Sequence, residues 1–97
     1  MEPTLIRPLF EKQQEHLWVL LALLKSELAA IASRNVEELD KCCEAKLQCL
    51  EDIQQLDTQI AAIPNLTELK TQPWFVENLQ AIDDVLQQCK EQNEINS

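Results

Sequence analysis

The chain has 97 residues, of which 45% are hydrophobic and only 4% aromatic; it has four cysteines, no glycine, and 17 acidic against 8 basic side chains, for a net charge of −9. A chain this short supports one core at most, and without glycine it lacks the residue on which phosphate-cradling loops and dinucleotide fingerprints depend. Its negative field repels nucleic acid and anionic lipid, so nucleic acid is not an expected partner, and no cofactor is expected either.

Residues 1–7 read as a loose lead-in. A first helix is predicted over about 8–33, because Leu17, Leu21, Leu24, Leu28 and Ile31 recur at intervals of three and four, the spacing of one helical face. Pro8 suits its first turn, where a missing amide hydrogen leaves nothing unpaired. From Trp18 to Leu24 the apolar residues wrap more than half the circumference. One face therefore meets a hairpin partner, and another needs a third element or a second chain. The longest uninterrupted apolar run, Leu17 to Leu24, has eight residues, against the roughly 20 of a membrane-spanning helix, so no membrane insertion is expected. As a signal peptide the run lacks a positive leader, since Glu2, Glu11 and Glu15 precede it. The expected location is cytoplasmic, with the cysteines reduced.

The pattern breaks at Ser33-Arg34-Asn35. Asn35, with Glu38 three residues on, resembles a capping box, and a link of about two residues makes the flanking helices antiparallel neighbours. The second helix is predicted over about 36–63, closed by Pro64, with Leu39, Cys43, Leu47, Leu50, Ile53, Leu56, Ile60 and Ile63 on its apolar face. That spacing averages near 3.5, as a supercoiled pair requires, and a helix of this length spans about 42 Å, so the hairpin is a rod. Residues 65–72 form a polar connector in which Leu66 and Leu69 shape a short helical turn. A third helix, opened by Pro73, is predicted over about 74–92 with Phe75, Leu79, Ile82, Leu86 and Cys89 on one face, and 93–97 form a frayed tail. The expected fold class is all-α: a long antiparallel helical hairpin of coiled-coil type with a shorter third C-terminal helix, in a single domain spanning 1–97.

The residues do not assemble a catalytic or metal site. Cys42 and Cys43 are adjacent on a helix and diverge by about 100°, and Cys49 lies two turns further on, so none of them offers the paired ligands of a zinc turn. Cys43 and Cys89 fall on apolar stripes and read as small core hydrophobes. His16 is the only histidine and reads as a boundary residue. The acidic pairs Glu37-Glu38, Glu51-Asp52 and Asp83-Asp84 point apart around their helices rather than converging on one proton. The protein is not expected to be an enzyme. Asn65-Leu66-Thr67 matches a glycosylation sequon that has no chemistry in the cytoplasm. Trp74 and Phe75 place half of the aromatics on successive residues, either plugging the end of the bundle or anchoring a partner. Surplus apolar face on a helical rod points to an interaction module that receives an amphipathic helix.

Three stretches resemble the FlgN-type flagellar export chaperones: Leu20-Leu21-Ala22-Leu23-Leu24 with Glu27-Leu28, then Asn35-Val36-Glu37-Glu38-Leu39, and then the run from Glu44 through Lys46, Leu47, Leu50 and Ile53 to Leu56. Cys49 stands where that family tends to have a leucine. The resemblance implies a cytoplasmic chaperone that binds the amphipathic terminal helix of hook-filament junction subunits, prevents their premature assembly and aids delivery to the type III export apparatus. Its implied partners are those junction proteins and the flagellar export machinery. By the same resemblance the C-terminal part would carry binding, through Trp74, Phe75, Leu79, Ile82, Val85 and Leu86, with Leu17, Trp18 and Leu21 as groove partners on the first helix. The alternatives are a self-associating structural coiled coil, with a homodimer covering the surplus face, and a type III secretion chaperone for another cargo.

Overall fold

The structure is a computed structural model that describes residues 3–64 and 66–97, with side chains from Ile6 onward. Met1 and Glu2 of the expected lead-in, and Asn65 of the connector and sequon, lie outside the described residues. The chain forms α1 (Pro3–Ser33), α2 (Val36–Ala61), a single turn α3 (Leu66–Leu69) and α4 (Pro73–Asn96). No strand occurs among the described residues. The fold is all-α, as the periodicity requires, and measures 49 × 20 × 17 Å, its length set by the 31 residues of α1 at about 1.5 Å each.

The hairpin link is a Schellman closure built without glycine. Asn35 N–H donates to Ala30 O at 2.9 Å and Arg34 N–H to Ile31 O at 3.2 Å, the 6→1 and 5→2 bonds of that motif, with Arg34 itself at φ 56°. Asn35 then starts α2, its side-chain oxygen accepting from the Glu38 amide at 3.1 Å. Only half of the capping box forms, because the Asn35 N–H to which Glu38 would reach back is already donated to Ala30 O; the Glu38 carboxylate accepts from the Cys42 thiol instead.

α1 starts at Pro3, five residues before the position that Pro8 marked as a first turn, so Pro8 lies inside the helix. Its ring removes one intrahelical hydrogen bond. Burial on either side compensates: Ile6 and Phe10 are almost wholly enclosed with Ile63 and Phe75 in a cluster at that end of the rod. At the other end of the chain, the tail expected to fray is helical as far as Asn96. Asn96 Nδ2 holds it there, donating to Leu24 O at 2.7 Å and Glu27 Oε1 at 3.0 Å.

The register of α2 differs from the one that hydrophobicity alone predicts. Its buried residues are Cys42, Cys49 and Leu56, spaced by seven and continued by Ile63 beyond the helix end. Leu47 and Leu50 are 64% and 43% exposed. The seam carries two small thiols and Lys46 because α1 opposes them with a wide row of leucines, so bulk comes from α1 and close approach from α2. α2 itself ends at Ala61, and Ile63 N–H bonds Ile60 O in the closing turn before Pro64.

α1 is the central element. α2 packs antiparallel along it and α4 parallel to it, whereas α2 and α4 scarcely meet. Leu17, Leu20, Leu21 and Leu24 form the middle of the core with Cys49, Val85 and Cys89. By length and composition α1 could cross a membrane from Ile6 to Ser33, a property that the eight-residue run did not reveal. In this fold its apolar stripe is occupied by α2 and α4.

Candidate partner-binding cleft

The two contact rows on α1 set the geometry of the cleft. Toward α2, Gln13 Nε2 donates to Ile53 O at 3.0 Å, the Cys49 thiol donates to His16 O at 3.2 Å, and Glu27 meets Lys46 at 2.7 Å. Toward α4, Phe10 stacks edge-on with Phe75 at 5.0 Å between centroids, and the Cys89 thiol donates to Leu17 O at 3.3 Å. At 100° per residue these rows lie about a quarter-turn apart. That separation is wider than a closed triangle of helices allows, and it keeps α2 and α4 apart.

The space between them is a cleft. Gln13, Leu17, Leu20 and Leu24 of α1 form its floor, with Leu50, Ile53, Gln54 and Asp57 along one wall and Ile82, Leu86, Cys89 and Asn93 along the other. Lys46 and Lys90 flank the end near Asn93, and Asp57 flanks the opposite end. A second groove on the far side of the hairpin is lined by His16, Val19, Leu23, Ala45, Gln48, Cys49 and Asp52.

Of the nine residues singled out from the sequence, Ile82 and Leu86 line this cleft half-buried, and Leu17 is in its floor. Phe75, Val85 and Leu21 are core residues, with Phe75 wholly enclosed. Trp74 and Leu79 pack partly buried against the cluster at the α3 end, where Trp74 stacks edge-on with Phe75 and lies under the Arg7 guanidinium at 5.6 Å. The aromatic pair is therefore the plug at that end of the rod. Trp18 is 46% exposed, on the side of α1 turned away from α2. Sequence reasoning did not assign Leu50 and Ile53 to the cleft. The signal was present in the surplus of leucines on α2 over what one seam uses.

Glu27 fastens the helices at the end of the cleft near Asn93. It is 7% exposed and takes hydrogen bonds from Lys46 on one oxygen and Asn96 on the other, tying α1 to α2 and to α4 at one carboxylate. The Lys46 bond first, then the Asn96 bond, and the Lys46 charge hold its carboxyl below the usual range against the opposing effect of burial. All four cysteines are free. Burial is the largest influence on Cys42, Cys49 and Cys89 and pushes each thiol up, with nearby Glu38, Asp52 and Cys49 respectively adding to it. These are weakly nucleophilic core thiols. Among the described residues no three His, Cys, Asp or Glu side chains are grouped to hold a metal ion.

The architecture is thus an all-α rod of three long helices and one short turn, with an apolar cleft between α2 and α4. The family model described as FlgN protein matches residues 3–97, and the chain belongs to the FlgN family. No curated protein and no solved structure matches it. FlgN proteins are chaperones of flagellar export, soluble and cytoplasmic, and they bind export cargo and export machinery rather than acting as enzymes.

Proposed function

We propose that this chain works in the cytoplasm as the export chaperone of a hook-filament junction subunit, whose amphipathic terminal helix it holds in the cleft between α2 and α4. The occupied cleft keeps that helix from assembling early and presents the subunit to the type III export apparatus. The observation that carries this reading is the separation of α2 from α4, which leaves Leu50, Ile53, Ile82 and Leu86 partly uncovered above an apolar floor. An amphipathic helix with anchors at i, i+3, i+4 and i+7 fills such a space and completes a four-helix bundle. Ile82, Leu86 and Leu17 remain binding residues in this reading, joined by Leu50 and Ile53. Trp74, Phe75 and Leu79 support the site by fixing the start of α4.

Leu50→Lys and Leu86→Lys test it, since both side chains are partly exposed and neither plugs the core. Each variant should lose co-purification with the junction subunit while circular dichroism stays helical. Retained binding by both would remove the cleft from the mechanism. A firm dimer in light scattering that persists with junction subunit present would favour the self-associating coiled coil instead.

A further inference from the structure

The cleft is apolar along its length but not electrically symmetric. Its charged lining is Asp57 at the end near α3, and Lys46 and Lys90 at the end near Asn93. Lys46 is already paired with Glu27, whereas Lys90 makes no ion pair among the described residues. Glu94, one turn beyond Lys90, is exposed and outside the lining. A helix carries about half a positive charge at its N-terminus and half a negative charge at its C-terminus, so the two possible directions of a bound helix are not equivalent here.

We infer that the occupant docks with a fixed polarity, its N-terminal end beside Asp57 and its C-terminal end beside Lys90, antiparallel to α2 and parallel to α4. The inference rests on the reading of the cleft as a helix site. It specifies the partner further: an amphipathic helix whose contact face runs about three turns, the distance from Asp57 to Lys46 along α2 at about 1.5 Å per residue. Its first turn is neutral or basic, and its last turn is acidic or ends in a free carboxylate.

Two synthetic 14-residue peptides with the same leucine face test it. One carries lysines in its first turn and glutamates in its last, and the other has these ends exchanged. The second is the better helix former by itself, so a preference for the first cannot come from intrinsic helicity. The protein should bind the first about fivefold more tightly at low ionic strength, the scale of end-charge and dipole effects at partly exposed sites. The double variant Asp57→Asn/Lys90→Gln, which removes the charges that set the direction, should abolish this preference. Equal affinities in the parent protein, or a preference that the neutral variant keeps undiminished, would overturn the polarity while leaving the cleft as the site. Failure of both peptides to bind would overturn the polarity and the helix-site reading together.

Discussion

Lys46 Nζ lies 2.7 Å from Glu27 Oε2, and this single pair joins α2 to α1 at the level where Asn96 brings in the end of α4. The Glu27 carboxyl is held below its usual range by these partners. A depressed folded-state value means that the stabilisation is fully present above the unfolded-state value of about 4.3 and is lost as pH falls through the folded value. Glu27→Gln should therefore lower stability at pH 7 by about 1–3 kcal/mol. In urea denaturation the gap between the variant and the parent should narrow as the buffer is taken below about pH 4. A gap independent of pH would show that the carboxylate charge does not hold the clamp.

Phe75 anchors the start of α4. It is fully enclosed and meets Phe10 edge-on at 5.0 Å, inside a cluster that also takes Ile6 and Ile63. Phe75→Ala should cost about 3–5 kcal/mol, a large share of the 5–15 kcal/mol typical of a folded domain. Because α4 packs on α1 and scarcely on α2, the loss should appear first in α4. Amide exchange should accelerate from Pro73 to Asn96 before the hairpin opens, and uniform acceleration in all three long helices would contradict this.

The hairpin was legible because its signals are local: a row of leucines at helical spacing, Asn35 ahead of Glu38, and the prolines at 64 and 73. The α2 seam was not. Hydropathy ranks Leu47 and Leu50 above Cys42, Lys46 and Cys49, and only the shape of α1 shows that the small residues are the ones that fit. The start of α1 was hidden for a similar reason. Pro8 is at home in a first turn when considered alone, and its tolerance within the helix depends on Ile6 and Phe10 meeting Phe75 from the far end of the sequence. The surplus of apolar face could be counted in advance, but the angle between α2 and α4 that turns it into a cleft is a tertiary quantity.

Arg34 occupies a position that favours glycine. Its φ of 56° places a Cβ against the following carbonyl, at a cost of about 1–2 kcal/mol for a non-glycine residue. Arg34→Gly removes that strain, but the freer unfolded chain offsets part of the gain. Thermal or urea denaturation should show a net stabilisation of about 0.5–1 kcal/mol with helicity unchanged. A destabilised variant would mean that the Arg34 side chain holds the link in some way other than its backbone angle.

The four thiols should divide three to one. Cys42, Cys49 and Cys89 are buried, with their thiols pushed up by that burial, so at neutral pH they hold less of the reactive thiolate and are shielded from reagents. Cys43 is only partly buried and lies one helical turn from the exposed Leu47 on α2. In the folded protein an aromatic disulfide reagent should modify Cys43 rapidly and the other three only at the rate of opening, whereas in urea all four should react together. Cys43→Ser should abolish the fast phase. A fast phase that survives the substitution would place one of the core thiols at the surface and contradict the packing of α2, or for Cys89 that of α4, against α1.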